Sequence, residues 1–145
     1  KKEILNSTTS LKKNMVSISN IIKKKKSKLI LINGFPQLQC PKNKGFANIF
    51  NSEGKEGIQK NCSLRRNEVL SLNKKQTEIY KEIQSQFPQN ISIFDPIQYY
   101  CDTTKCNLID KNKNLIIWDD LFHLTKDGLS IIRKPLKSFI QKLIP

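Results

Sequence analysis

The sequence predicts an α/β layered fold, and three observations carry that expectation. Residues 10–32 read as a helix followed by a strand, and residues 66–94 repeat the order. Both strand candidates, Leu29 to Ile32 and Ile91 to Phe94, are short apolar runs that end in turn residues. Unbroken apolar runs of that length suit strands covered on both faces, as in a parallel sheet flanked by helices.

Residues 1–8 read as a loose lead-in. From Ser10 to Lys24, apolar residues fall at Leu11, Met15, Ile18, Ile21 and Ile22, the spacing of one buried helix face. Lys23 to Lys26 follow, where cations complement the helix dipole, and with Lys28 they form a patch able to meet anions. Asn33-Gly34 and Pro36 end the first strand and exclude a helical continuation.

Residues 35–64 carry three glycines and two prolines among many polar residues, and read as a long irregular excursion. A structureless stretch of that length is unusual in a compact domain. A bond between Cys40 and Cys62 would make it physically reasonable. The four cysteines allow three pairings. Cys101 and Cys106 can close a small loop, which leaves Cys40 for Cys62; free thiols or a metal are the other readings, although the paired CxxC spacing of zinc sites is absent. Disulfides place the domain outside the reducing cytosol.

Leu64 to Phe87 reads as a second amphipathic helix, with Val69, Leu72, Ile79, Ile83 and Phe87 near one face and Pro88 behind it. Ile91 to Phe94 is closed by Asp95-Pro96. Leu115 to Trp118 is the remaining strand candidate. The last helix is marked by Leu129, Ile132, Leu136, Phe139, Ile140 and Leu143, with Pro135 inside it, Thr125 as N-cap and Asp127 in the first turn.

At 145 residues the chain fits one domain, 1–145, and its formal charge of +14 favours polyanions or reflects a lysine-rich solvated face. No run of about 18 apolar residues is present, so no segment reads as a membrane span. Recognition-helix patterns, aromatic-basic interleaving and zinc-finger spacing are missing, which argues against nucleic acid. The start at Lys1, with neither an initiator methionine nor a signal-like apolar stretch, fits a piece of a longer polypeptide. Two buried strands need neighbours on both edges, most simply from a preceding N-terminal half.

The one histidine, His123, stands three residues after Asp120 in LIIWDDLFHLTKDG, Leu115 to Gly128. In a tight loop the carboxylate can bind one imidazole nitrogen and leave the other as a general base toward a hydroxyl nucleophile. Asp119 is a second carboxylate, and either of the two can instead cap local amides. Trp118, Leu121, Phe122 and Leu124 around the pair suggest partial desolvation.

The run FDPIQYYC, Phe94 to Cys101, then Cys106, then LIIWDDLFHLTKDG resembles the C-terminal part of an SGNH-type hydrolase domain, in particular the one fused to membrane O-acyltransferases that decorate sugars. The features shared are Asp95-Pro96, Cys101 and Cys106, the short strand, Asp120-Leu-Phe-His123, Leu124-Thr125 and Gly128. KLILINGFP, Lys28 to Pro36, is similar to the strand before the proline-containing loop of that family. The resemblance implies a flavodoxin-like three-layer α/β/α fold with its first strands missing. It implies acyl transfer or ester hydrolysis on sugar or cell-surface glycan esters through an acyl-serine, with His123 as general base, Asp120 orienting it, and no cofactor. Its partners would be the missing N-terminal half, an acyltransferase membrane domain and a glycan acceptor, in an extracytoplasmic setting. The sequence has no Gly-Asp-Ser block for the nucleophile, so the chain alone is expected to be inactive. The alternative is a non-enzymatic basic module that binds an acidic polymer or surface.

Overall fold

The computed structural model describes residues 2–36, 38–41, 45–62, 65–110, 114–120 and 123–144, with residues 2–8 as backbone only. The elements are α1 (Lys2–Lys24), β1 (Leu29–Ile32), α2 (Phe46–Asn61), α3 (Arg66–Gln86), β2 (Ile91–Phe94), α4 (Ile97–Tyr100), β3 (Ile109–Asp110), β4 (Leu115–Ile116) and α5 (Lys126–Gln141). These helices and strands make an α/β chain. Internal contacts divide it into two compact units, Lys1–Asn33 with Asn73–Asp95, and Gly34–Leu72 with Pro96–Pro145.

In the first unit, β1 and β2 pair in parallel, with Leu29 opposite Ile91 and Ile32 opposite Phe94. Leu31, Ile79, Ile83, Phe87 and Ile91 form its core, against which Met15, Val16 and Tyr80 pack. Burial of side chains such as Ile83 and Ile91 stabilises by roughly 1.5–3 kcal/mol each. The turn before β2 is fastened to the start of β1: Leu29 N donates to Asn90 O at 2.8 Å, Lys28 Nζ to Gln89 O at 2.6 Å, and Asn90 Nδ2 to Ser27 O at 2.9 Å.

Three expectations for this unit are corrected. The lead-in is helical, since α1 begins at Lys2. The buried face of α1 is not the one the apolar spacing suggested, because Leu11, Ile18 and Ile21 are exposed. Ser19 takes the buried position instead, its hydroxyl donating to Met15 O at 2.7 Å, so a serine satisfied within its own helix can sit inside. The third strand candidate does not join this sheet and lies in the other unit.

In the second unit, the stretch expected to be irregular contains α2. Its kink at Gly54, where φ is +63°, needs a residue without Cβ, and that glycine is what hid the helix from sequence patterning. Cys40–Cys62 and Cys101–Cys106 are both disulfides. The first closes a sequence separation of 22 residues. By loop-closure entropy, Cys40→Ser with Cys62→Ser is expected to cost about 3 kcal/mol, read as a lower urea midpoint with an altered slope. Leu72 of α3, expected on the buried face, is exposed.

Arg66 at the start of α3 holds the small disulfide loop, with its guanidinium donating to Asp102 O at 2.8 Å and its amide to Thr104 O at 3.0 Å. Inside that loop, Asp102 accepts from the amides of Lys105 and Thr104, which hold its carboxyl down to about 2. The third strand candidate is shorter than expected and pairs as β4 antiparallel to β3, Ile109 opposite Ile116. Tyr100 and Trp118 lie buried at tilted rings 6.2 Å apart, and Phe35 flanks Tyr100 at 6.1 Å. Burial pushes the Tyr100 phenol up, so it stays a donor, and it donates to Gly128 O at 3.0 Å. The helix α5 runs through Pro135 without ending there.

Candidate active site

The dyad loop begins where β4 ends. Ile117 N donates to Leu108 O at 3.1 Å, which continues the pairing one residue beyond the strand. Trp118 then bridges to Leu124, and Asp119 N donates to His123 O at 2.9 Å, so the chain turns back on itself between Asp119 and His123. The outgoing limb is capped by Thr125, whose hydroxyl accepts from Gly128 N at 3.0 Å as α5 begins. That cap and Asp127 in the first turn agree with the sequence reading.

Inside the turn, one Asp120 oxygen, Oδ1, accepts from His123 N at 2.7 Å, and the other, Oδ2, lies 2.7 Å from His123 Nδ1. A single carboxylate therefore fixes both the backbone and the ring of His123. The sequence left the capping role open between Asp119 and Asp120, and Asp120 fills it while also meeting the imidazole. With Asp120 ionised, Nδ1 carries the proton it donates, which leaves the lone pair of the neutral ring on Nε2.

The expected desolvation of the pair is corrected. The side chains of His123 and Asp120 are 75% and 49% exposed. Trp118 is buried, but against Tyr100 rather than over the dyad, and its Nε1 donates to Asn107 O at 3.3 Å. Leu121 and Phe122 lie outside the described residues. The imidazole pKa is raised above its ordinary 6.5, first by the hydrogen bond to Asp120, then by the charge of Asp120, with Asp119 adding to the same field.

A cavity of about 450 Å³ in the same unit is lined by Tyr99, Asp102, Asn107, Asp110 and Ile131 among others, and neither dyad residue lines it. Among the described residues, no group of three or more His, Cys, Asp or Glu is placed to hold a metal ion.

No curated protein and no solved structure matches the chain. A family model described as the SGNH domain fused to AT3 domains matches residues 6–138. The matched stretch takes in both disulfides, the parallel strand pair and the Asp120–His123 turn. The chain belongs to the family of SGNH domains fused to AT3 domains.

Proposed function

We propose that this chain carries the acid–base half of an extracytoplasmic acyl-serine enzyme, an O-acyltransferase or esterase acting on sugar or cell-surface glycan esters. The observation that carries the reading is the 2.7 Å approach of Asp120 Oδ2 to His123 Nδ1 in a turn whose backbone the same carboxylate fixes. His123 Nε2 takes the proton of a serine hydroxyl as its oxygen attacks the acyl carbonyl carbon. The tetrahedral intermediate collapses, the acyl C–O bond to the leaving alcohol breaks, and the imidazolium returns the proton to that alcohol. Asp120 holds the tautomer and stabilises the imidazolium. Water or a glycan hydroxyl then attacks the acyl-serine by the same proton relay.

Serine and oxyanion donors come from a segment preceding Lys1, which also supplies strands beside the β1–β2 pair to build a flavodoxin-like three-layer α/β/α domain. The pair of parallel strands and the absence of a Gly-Asp-Ser block from the sequence support this division. The two disulfides suit an oxidising compartment, and the fusion partners of the family suit tethering to a membrane acyltransferase domain. Among the described residues, no helix is long and apolar enough to cross a membrane.

The test is a pH profile of ester hydrolysis by the protein that includes the upstream segment. The base must be neutral to accept a proton, and its pKa is raised, so kcat is expected to rise with pH through a midpoint above 6.5. A midpoint at or below 6.5 would contradict the pairing with Asp120. The same shift makes the dyad stabilising below about 6.5, with that contribution lost as pH rises through the folded-state midpoint, and weakened by salt because the pair is exposed.

A further inference from the structure

The outgoing limb of the dyad turn is held to the end of β4 by the side chain and the amide of one residue. The Thr125 hydroxyl donates to Ile116 O at 2.8 Å, with a longer approach of 3.3 Å to Ile117 O, and it accepts from Gly128 N. Its amide donates to Ile117 O at 2.9 Å. The incoming limb leaves that same β4 end, so Thr125 closes the base of the loop that carries Asp120 and His123. A helix cap needs only the accepting contact to Gly128 N. The donation back to Ile116 O serves no helix group and adds a side-chain tie between the two limbs beside their backbone bonds. His123 lies two residues before Thr125, and its carbonyl is already tied to Asp119 N, so displacement of Thr125 moves the imidazole against the Asp120 carboxylate.

We propose that Thr125 is a positioning residue for the Asp120–His123 dyad, acting by fixing the limb separation of the turn. The inference rests on the function proposed above. Thr125→Val removes the hydroxyl and keeps the side-chain shape, while Thr125→Ser keeps the hydroxyl. Glycine is tolerated at helix caps with a loss of a few tenths of a kcal/mol. Thr125→Gly therefore removes the hydroxyl in a form that folds if the valine variant does not.

In the protein with its upstream segment, the titration of His123 is followed by NMR and kcat by ester hydrolysis. Thr125→Val and Thr125→Gly are expected to move the His123 midpoint down toward 6.5 and to lower kcat by roughly ten- to a hundredfold, with KM little changed. Thr125→Ser is expected to restore both. A lowered melting temperature with an unmoved His123 titration and wild-type kcat would make Thr125 a helix cap and nothing more, and would overturn the proposal. Loss of the dyad reading is distinguishable, because turnover would then survive His123→Ala whatever Thr125 does to the titration.

Discussion

His123→Ala, made in the protein that includes the serine-bearing segment, is expected to lower acyl transfer by roughly 10²- to 10⁴-fold, the usual contribution of a positioned general base. The same variant is expected to melt within a degree or two of the parent. Its side chain is three-quarters exposed and, among the described residues, its ring pairs with Asp120, and an exposed pair of this kind adds little to stability and is screened by salt. The two readouts together are what matter. A large fall in turnover with an unchanged melt assigns chemistry to the imidazole, whereas near-normal acyl transfer would sink the assignment of His123 as base and leave the basic-module reading.

Gly128→Ala is expected to have the largest effect on stability of any single methyl added to the dyad region. A Cβ at position 128 would stand 2.2 Å from Ile117 O, a backbone atom that cannot swing away. Relief requires α5 to shift from the end of β4, and that movement stretches the Tyr100 hydrogen bond to Gly128 O and the Thr125 cap together. Overpacking plus a loosened buried hydrogen bond is expected to cost about 3 kcal/mol, measured as a drop in the urea midpoint at constant slope. A variant as stable as the parent would mean that Gly128 and Ile117 do not approach as closely as described.

How much of this was legible in the sequence depends on what each element rests on. The strands β1 and β2 were readable because their apolar runs have no competing pattern, and their parallel pairing suits the repeated helix-then-strand order, although β1 is not buried on both faces as expected, since Ile32 is exposed. The α2 helix was not, since Gly54 and Gly57 with polar neighbours read as a loop while packing of Phe46, Ile49 and Ile58 decides otherwise. Element α4, four residues long, and β3, two residues long, are too brief for any period to show. In α1 the apolar spacing was real but pointed off-centre, because a serine hydroxyl satisfied by its own helix gives no outward sign of burial.

The dyad itself was the most legible feature of the site. An aspartate and a histidine three residues apart can meet within a single turn, and no long-range contact has to be guessed. Its exposure was not legible. Trp118 beside it in sequence turns inward to Tyr100, a choice made by a residue 18 positions upstream. Thr125 was readable as a cap, but its donation to Ile116 O depends on where β4 ends, and the two-residue ladder with β3 sets that point.

The exposed imidazole has a practical consequence. It is the one histidine in the sequence, and it stands at the surface on a turn whose backbone is fixed by Asp120. Any partner that docks over it changes its solvent access, its reactivity toward acylating reagents and its proton resonance, with no other imidazole to confuse the reading. The chain thus carries its own gauge of docking, a label already in place for watching a partner arrive.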